Sequence, residues 1–241
     1  MTNENSATLI IVDYNSPYLA SCLDSIDLKY PVIVINNYIK KQIYLKRKNC
    51  IAINNTKNIG FGSACNQGFK IANSKYVIFC NPDIFFNRDT IRQLISFMRN
   101  NACANLATCA LYDSDNIRQY NCWKFPSLFD LINRRLHISK KHETAFLMKH
   151  ENRKQSMKVD WVSGALMIVR KNNFPGFDTR FFLYLEDIDL CRRIGGVFYC
   201  PFCKAVHVSQ RGSARNTYLF MCHLRSMIYY FIKWTFLSKY L

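Results

Sequence analysis

In the first half of the chain, apolar residues come in short unbroken runs divided by polar turns. Thr8-Leu9-Ile10-Ile11-Val12 is one such run, and its continuity is that of a strand buried on both faces. Ser16-Pro17 then supplies a helix N-cap and a proline at the first helical position, which predicts a helix through about residue 26. Residues 31–35 and 51–53 read as further strands, the first of them ending at Asn36-Asn37. Gly60-Phe61-Gly62 leads into a helix over 63–72, residues 76–80 form the next strand, and Asp89 heads a helix reaching about residue 100. The order β-α-β-β-α-β-α predicts a mostly parallel, Rossmann-like α/β sheet covered by helices.

Ligands of such sheets bind beyond the carboxyl ends of the strands. Four of these ends are polar: Asp13-Tyr14-Asn15, Asn36-Asn37, Asn54-Asn55 and Asn81-Pro82-Asp83. Any one of them is an ordinary turn former. Together they outline a polar pocket.

The pattern weakens over 121–158, where Arg134-Arg135, Lys140-Lys141 and Arg153-Lys154 mark an exposed basic insertion. Strand character returns over 165–169 and again over 195–208, which holds one or two strands. Residues 217–241 read as a helix in which Phe220, Met227, Tyr230, Trp234 and Phe236 interleave with Arg225, Lys233 and Lys239. That helix is too polar to span a bilayer. It suits a membrane interface, or equally the flank of the domain.

Charge narrows the partners. Against 33 Lys and Arg stand 16 Asp and Glu, a formal +17, so the surface seeks nucleic acid, anionic lipid or phosphorylated small molecules. No helix-turn-helix, RNA-recognition or zinc-finger pattern supports the first. Eleven cysteines, odd in number and irregular in spacing, include Cys80, Cys109 and Cys191 inside apolar runs, where a free thiol acts as a small hydrophobe. With no signal-peptide core and no bilayer-length apolar run, the expectation is a protein of the reducing cytoplasm.

Two clusters carry candidate chemistry. Asp83, at a strand end behind a stiffening proline, is placed to bind a hard divalent cation through oxygen. Glu186, Asp187 and Asp189 follow the aromatic run Phe181-Phe182-Leu183-Tyr184. In a helix starting near Glu186, Asp189 pairs with Arg193, while Asp187 points about 100° away from that face. The helix dipole favours its ionised form and the neighbouring acids oppose it, a balance that suits a general base. His207 ends a strand, and behind it Arg211 and Ser213 belong to a turn able to grip phosphate. Cys200, Cys203, His207, Cys222 and His223 form a rival zinc set, but its single Cys-x-x-Cys has no partner pair.

In their order these blocks resemble the inverting family 2 glycosyltransferases of GT-A fold, and among them the bacterial O-antigen rhamnosyltransferases. The likeness runs from Asp13-Tyr14-Asn15-Ser16 through Asn58-Ile59-Gly60-Phe61-Gly62 with Asn66-Gln67-Gly68, then Asn81-Pro82-Asp83 and Lys124-Phe125-Pro126. It continues through Val159-Asp160-Trp161-Val162-Ser163-Gly164-Ala165, Gly176-Phe177-Asp178 and Tyr184-Leu185-Glu186-Asp187-Ile188-Asp189 to His207.

The resemblance implies a donor site of Tyr14, Asn15, Asn36, Gly60, Asn66, Asn81, Asp83, Arg211 and Ser213. It implies Mg2+ or Mn2+ on Asp83 and His207, Asp187 as catalytic base, and Trp161, Gly164 and Glu186 on the acceptor side. Asn36 and Asn81 stand where the family often has Asp, which leaves recognition of the base uncharged and the metal weakly held. The implied reaction moves a sugar, rhamnose from dTDP-rhamnose, onto a lipid-diphosphate-linked or other saccharide, with galactofuranose or another hexose as the alternative. The implied place is the cytoplasmic face of the cell membrane, peripherally bound. The corresponding division is a GT-A domain over 1–216, comprising a nucleotide-sugar half (1–111), the basic insertion (112–158) and an acceptor half (159–216), then a helical segment over 217–241.

Overall fold

The apolar run near the N-terminus forms β1 (Ala7–Asp13), paired in parallel with β2 (Val32–Asn36) on one side and β4 (Tyr76–Cys80) on the other. β3 (Cys50–Asn54) extends the sheet in parallel beyond β2. The computed structural model describes residues 6–127, 130, 155–208 and 216–235, so most of the basic insertion and the end of the tail lie outside the described residues. The register places Asp13 beside Asn36 and Asn36 beside Asn54, so the polar strand ends line up in one row.

Past β4 the sheet changes direction. β10 (Leu166–Arg170) lies antiparallel between β4 and β6 (Leu106–Tyr112). β11 (Val197–His207) is parallel to β6 and carries β5 (Ile84–Phe86) and β8 (Met157–Lys158) antiparallel to it. Six of the nine strands thus share one direction among the described residues. A second sheet of two strands, β7 (Cys122–Trp123) and β9 (Trp161–Val162), stands beside the first. Both faces of β10 are buried, and an apolar run of that kind reads the same in either direction.

Alternate residues of the central strands feed two cores. Leu9, Ile11, Ile78 and Ile168 meet α1 (Leu19–Asp24) and α3 (Thr90–Asn100) through Cys22, Leu94 and Met98. Ile10, Val77, Phe79 and Met167 face the other way, toward α2 (Phe61–Ile71), α4 (Glu186–Ile194) and α5 (Thr217–Thr235). Helix α1 starts later than Ser16-Pro17 predicts, because the Ser16 hydroxyl accepts the N–H of Tyr18 and closes a separate turn first.

The Cys-x-x-Cys is a feature of the sheet. Pairing of β11 with β6 passes from Cys200 opposite Cys109 to Lys204 opposite Ala110, so residues 201–203 bulge out of register where Pro201 lacks a ladder donor. Burial pushes the Cys203 thiol up to about 12, away from the thiolate a zinc ion needs. Among the described residues no group of three or more His, Cys, Asp or Glu could hold a metal.

Candidate active site

The turn after β4 is held from three sides. Asn81 donates its N–H to the Ala165 carbonyl at 2.9 Å, Ile84 donates to the Asn81 carbonyl at 3.2 Å, and Val208 donates to the Asp83 carbonyl at 3.0 Å. The β5–β11 register sets His207 opposite Ile84, which brings the His207 ring to Asp83 with Nε2 3.6 Å from Oδ1. That Oδ1 is buried without a hydrogen-bond partner. Burial raises the Asp83 carboxyl while His207 pulls it back. Burial also lowers His207, which favours a neutral imidazole.

Asp187 lies in the first turn of α4, and the two non-glycine residues ahead of that helix, Tyr184 (φ 70°) and Leu185 (φ 63°), hold the left-handed conformation. Such backbone is costly and concentrates at sites where geometry matters. The Asp187 carboxylate accepts the Gly164 N–H at 2.9 Å on Oδ2 and the Ile188 N–H at 2.9 Å on Oδ1. Gly164 and Ala165 are consecutive, so two adjacent peptides at the head of β10 tie the carboxylate of Asp187 and the Asn81 turn to one point.

A family model described as Glycosyl transferase family 2 matches residues 8–174. The chain belongs to glycosyl transferase family 2. This glycosyltransferase is 30% identical over 184 residues to the rhamnosyltransferase WbbL of Escherichia coli K12, covering 72% of this chain and 67% of that protein. Over 65 residues, 24% of this chain and 21% of the relative, it is 35% identical to an N-acetylglucosaminyl-diphospho-decaprenol L-rhamnosyltransferase of Mycobacterium tuberculosis. Its fold is that of S. aureus TarS. One TarS structure aligns with a TM-score of 0.60 and 15% identity, covering 85% of this chain and 37% of that one; the structure of residues 1–349 gives 0.53 and 16%, covering 85% and 58%.

Within this glycosyltransferase the other predicted residues take varied places. Tyr14 is exposed and meets Tyr38 edge-on at 5.3 Å, and Asn15 stands beside it at φ 56°. The carboxylate of Asp13 fixes that corner by accepting the N–H groups of Asn15 and Ser16. Asn36 is buried, and its amide bonds Asn54, the Lys41 carbonyl and the Tyr38 N–H. Asn55 likewise bonds Asn37 and Gln67 of α2, so these strand ends spend their amides on holding the loops. Asn66 clamps both the N–H and the carbonyl of Phe177, each at 2.8 Å.

Gly60 heads α2 at φ 83°, and a Cβ there would meet the Phe182 carbonyl oxygen at 2.4 Å. Trp161 is buried, stacks on Trp123 at 4.2 Å and donates its indole N–H to the Lys124 carbonyl. Glu186 is buried with Oε2 unbonded, and burial together with the charge of Asp187 pushes it up to about 8. Arg211 and Ser213 lie outside the described residues.

Sequence reasoning missed Gln119. Its side chain bonds the ring and the carbonyl of His207, 88 residues away. A glutamine in a polar hairpin gives no signal in the sequence that points to such a partner.

Proposed function

We propose that the chain transfers rhamnose from dTDP-rhamnose to a saccharide carried on a lipid diphosphate, with inversion at the anomeric carbon. The observation that carries this reading is the pairing of Asp187 and the Asn81–Asp83 turn on the adjacent Gly164 and Ala165 peptides. The relatives named as rhamnosyltransferases, one of them acting on a diphospho-decaprenol, support the sugar and the type of acceptor.

Asp83 and His207 would hold a Mg2+ or Mn2+ ion, since a buried carboxylate oxygen without a partner and a neutral imidazole fit such an ion. When bound, the metal offsets the negative charge that develops on the departing diphosphate. Tyr14 and Asn15 stand at the exposed strand end where the nucleotide would lie. Asp187 takes the proton of the acceptor hydroxyl as that oxygen bonds the anomeric carbon. The anomeric carbon–phosphate oxygen bond breaks on the opposite face, and dTDP leaves. One base suffices, because the leaving diphosphate needs no proton.

Membrane contact fits the same reading. On α5 the residues Tyr218, Met221, Ile228 and Ile232 are exposed at spacings of three, seven and four, with exposed Arg225 among them.

The test is thermal-shift screening of nucleotide sugars with and without Mn2+, paired with turnover of Asp187→Asn. Expected are a preference for dTDP-rhamnose over UDP-sugars and a variant that binds donor but loses at least about 100-fold in transfer. Normal turnover by Asp187→Asn overturns the base assignment, and a UDP-hexose preference moves the donor to the alternative class.

A further inference from the structure

Gln119 is delivered to His207 by a tight turn. The Asp113 carboxylate accepts the N–H groups of Asp115 and Ile117, Asn116 takes φ 59°, and the returning strand donates the Gln119 N–H to the Leu111 carbonyl at 2.8 Å. There the Gln119 amide meets His207 twice. Nε2 donates to the His207 carbonyl at 2.8 Å, and Oε1 faces the ring Nδ1 at 2.8 Å.

The two ends of the amide are not interchangeable. A backbone carbonyl only accepts, so the NH2 end must face it and the oxygen end must face the ring. An oxygen against Nδ1 calls for a proton on Nδ1. The neutral imidazole then keeps its lone pair on Nε2, the atom turned toward Asp83 at 3.6 Å. The opposite tautomer would aim an Nε2–H at the Asp83 carboxylate, and a hydrogen bond between them would occupy both groups at once.

We propose that Gln119 is a positioning residue: it fixes the Nδ1–H tautomer of His207, so that Nε2 and Asp83 stand as two open ligands for a divalent cation instead of bonding each other. The proposal rests on the metal reading of Asp83 and His207. A role confined to pinning the hairpin onto β11 would leave the tautomer free.

The decisive measurement needs neither metal nor activity. In metal-free protein with 15N-labelled histidine, ring nitrogen shifts report the tautomer, and among the five histidines the signal lost in His207→Gln assigns the one of interest. The wild type is expected to carry its proton on Nδ1. Gln119→Met, similar in length but without an acceptor, should move it to Nε2, while Gln119→Glu, which keeps an oxygen at the ring, should hold it on Nδ1. Calorimetric titration of Mn2+ in the presence of dTDP should then show affinity about 10–100-fold weaker in Gln119→Met than in the wild type, as for other partners of metal-bound histidines. Gln119→Glu should recover most of the loss.

A wild-type proton on Nε2 overturns the proposal. So does unchanged Mn2+ affinity in Gln119→Met when Asp83→Ala has lost it. If Asp83→Ala and His207→Ala both keep full affinity, the metal reading falls and takes the ligand half of the proposal with it. The spectrum still decides the tautomer half by itself.

Discussion

Glu186 and Asp187 are neighbours in the chain whose carboxyls meet different surroundings. Glu186 is enclosed with one oxygen unbonded and rises to about 8, so it stays protonated at neutral pH. Asp187 is raised by burial, but N–H groups from Gly164 and Ile188 favour its ionised form. The backbone N–H groups give the Asp187 anion a stabilisation that the unbonded Glu186 oxygen lacks, an arrangement that keeps two adjacent buried charges from coexisting. The acidic limb of kcat/KM should therefore lie above the ordinary aspartate value of about 3.9, with activity rising as pH rises through it. A pH–rate profile checks this. Glu186 also links pH to stability. Its folded-state pKa is raised, so its contribution is full below the unfolded value near 4.5 and is lost as pH climbs toward 8. Glu186→Gln should accordingly gain more in melting temperature over the wild type at pH 8 than at pH 5. An equal difference at both would show that Glu186 does not titrate there.

Two elements hold the start of α4 in place. Helix α5 contributes Lys233, nearly enclosed, whose ammonium lies 2.8 Å from Asp178 and 2.6 Å from Asp189, while Trp234 donates its indole N–H to Asp189 at 3.0 Å. Asp189 also receives Arg193, the pairing expected from its spacing on α4. Lys233→Ala would take one of two cations from each of Asp178 and Asp189, which keep Arg180 and Arg193, and should cost about 1.5–3 kcal/mol, measured by urea unfolding. Lys233→Met, which keeps the packing, separates the charge from the volume it fills. Helix α2 contributes its first turn, where the Phe61 N–H bonds the Phe182 carbonyl across Gly60. In Gly60→Ala the added methyl would drive that carbonyl away and hold a left-handed residue, at about 1–3 kcal/mol for the backbone alone. The expected result is a melting temperature lower by about 5 °C or more.

At the scale of the molecule, the proposed membrane contact rests on the +17 charge and the exposed face of α5. No helix among the described residues is long and apolar enough to cross a membrane. Replacing Ile228 and Ile232 with Asp should reduce co-sedimentation with phosphatidylglycerol vesicles and leave the melting temperature within about 2 °C, since both side chains face outward. Unchanged sedimentation would remove α5 as the contact. Much of this architecture is written locally. The β-branched runs, the polar strand ends and the acidic start of α4 each lie within a few residues, where periodicity and turn chemistry act directly. The order of those blocks was enough to mark the family. Other features depend on partners distant in the chain. The direction of β10 follows from its entry beside the carboxyl end of β4, and an apolar strand carries no sign of that. Asn36 donates its amide N–H to the Asn54 side chain only because β2 and β3 are in register, and Lys233 finds Asp178 and Asp189 only once α5 has docked. Gln119 reaches His207 across 88 residues. The sequence by itself determined which strands and helices form and which reactive groups stand at their ends, since those depend on neighbouring residues. The tertiary structure alone decided which of these groups are already bonded and which keep an unbonded atom, because a side chain's partners are set by where the chain returns.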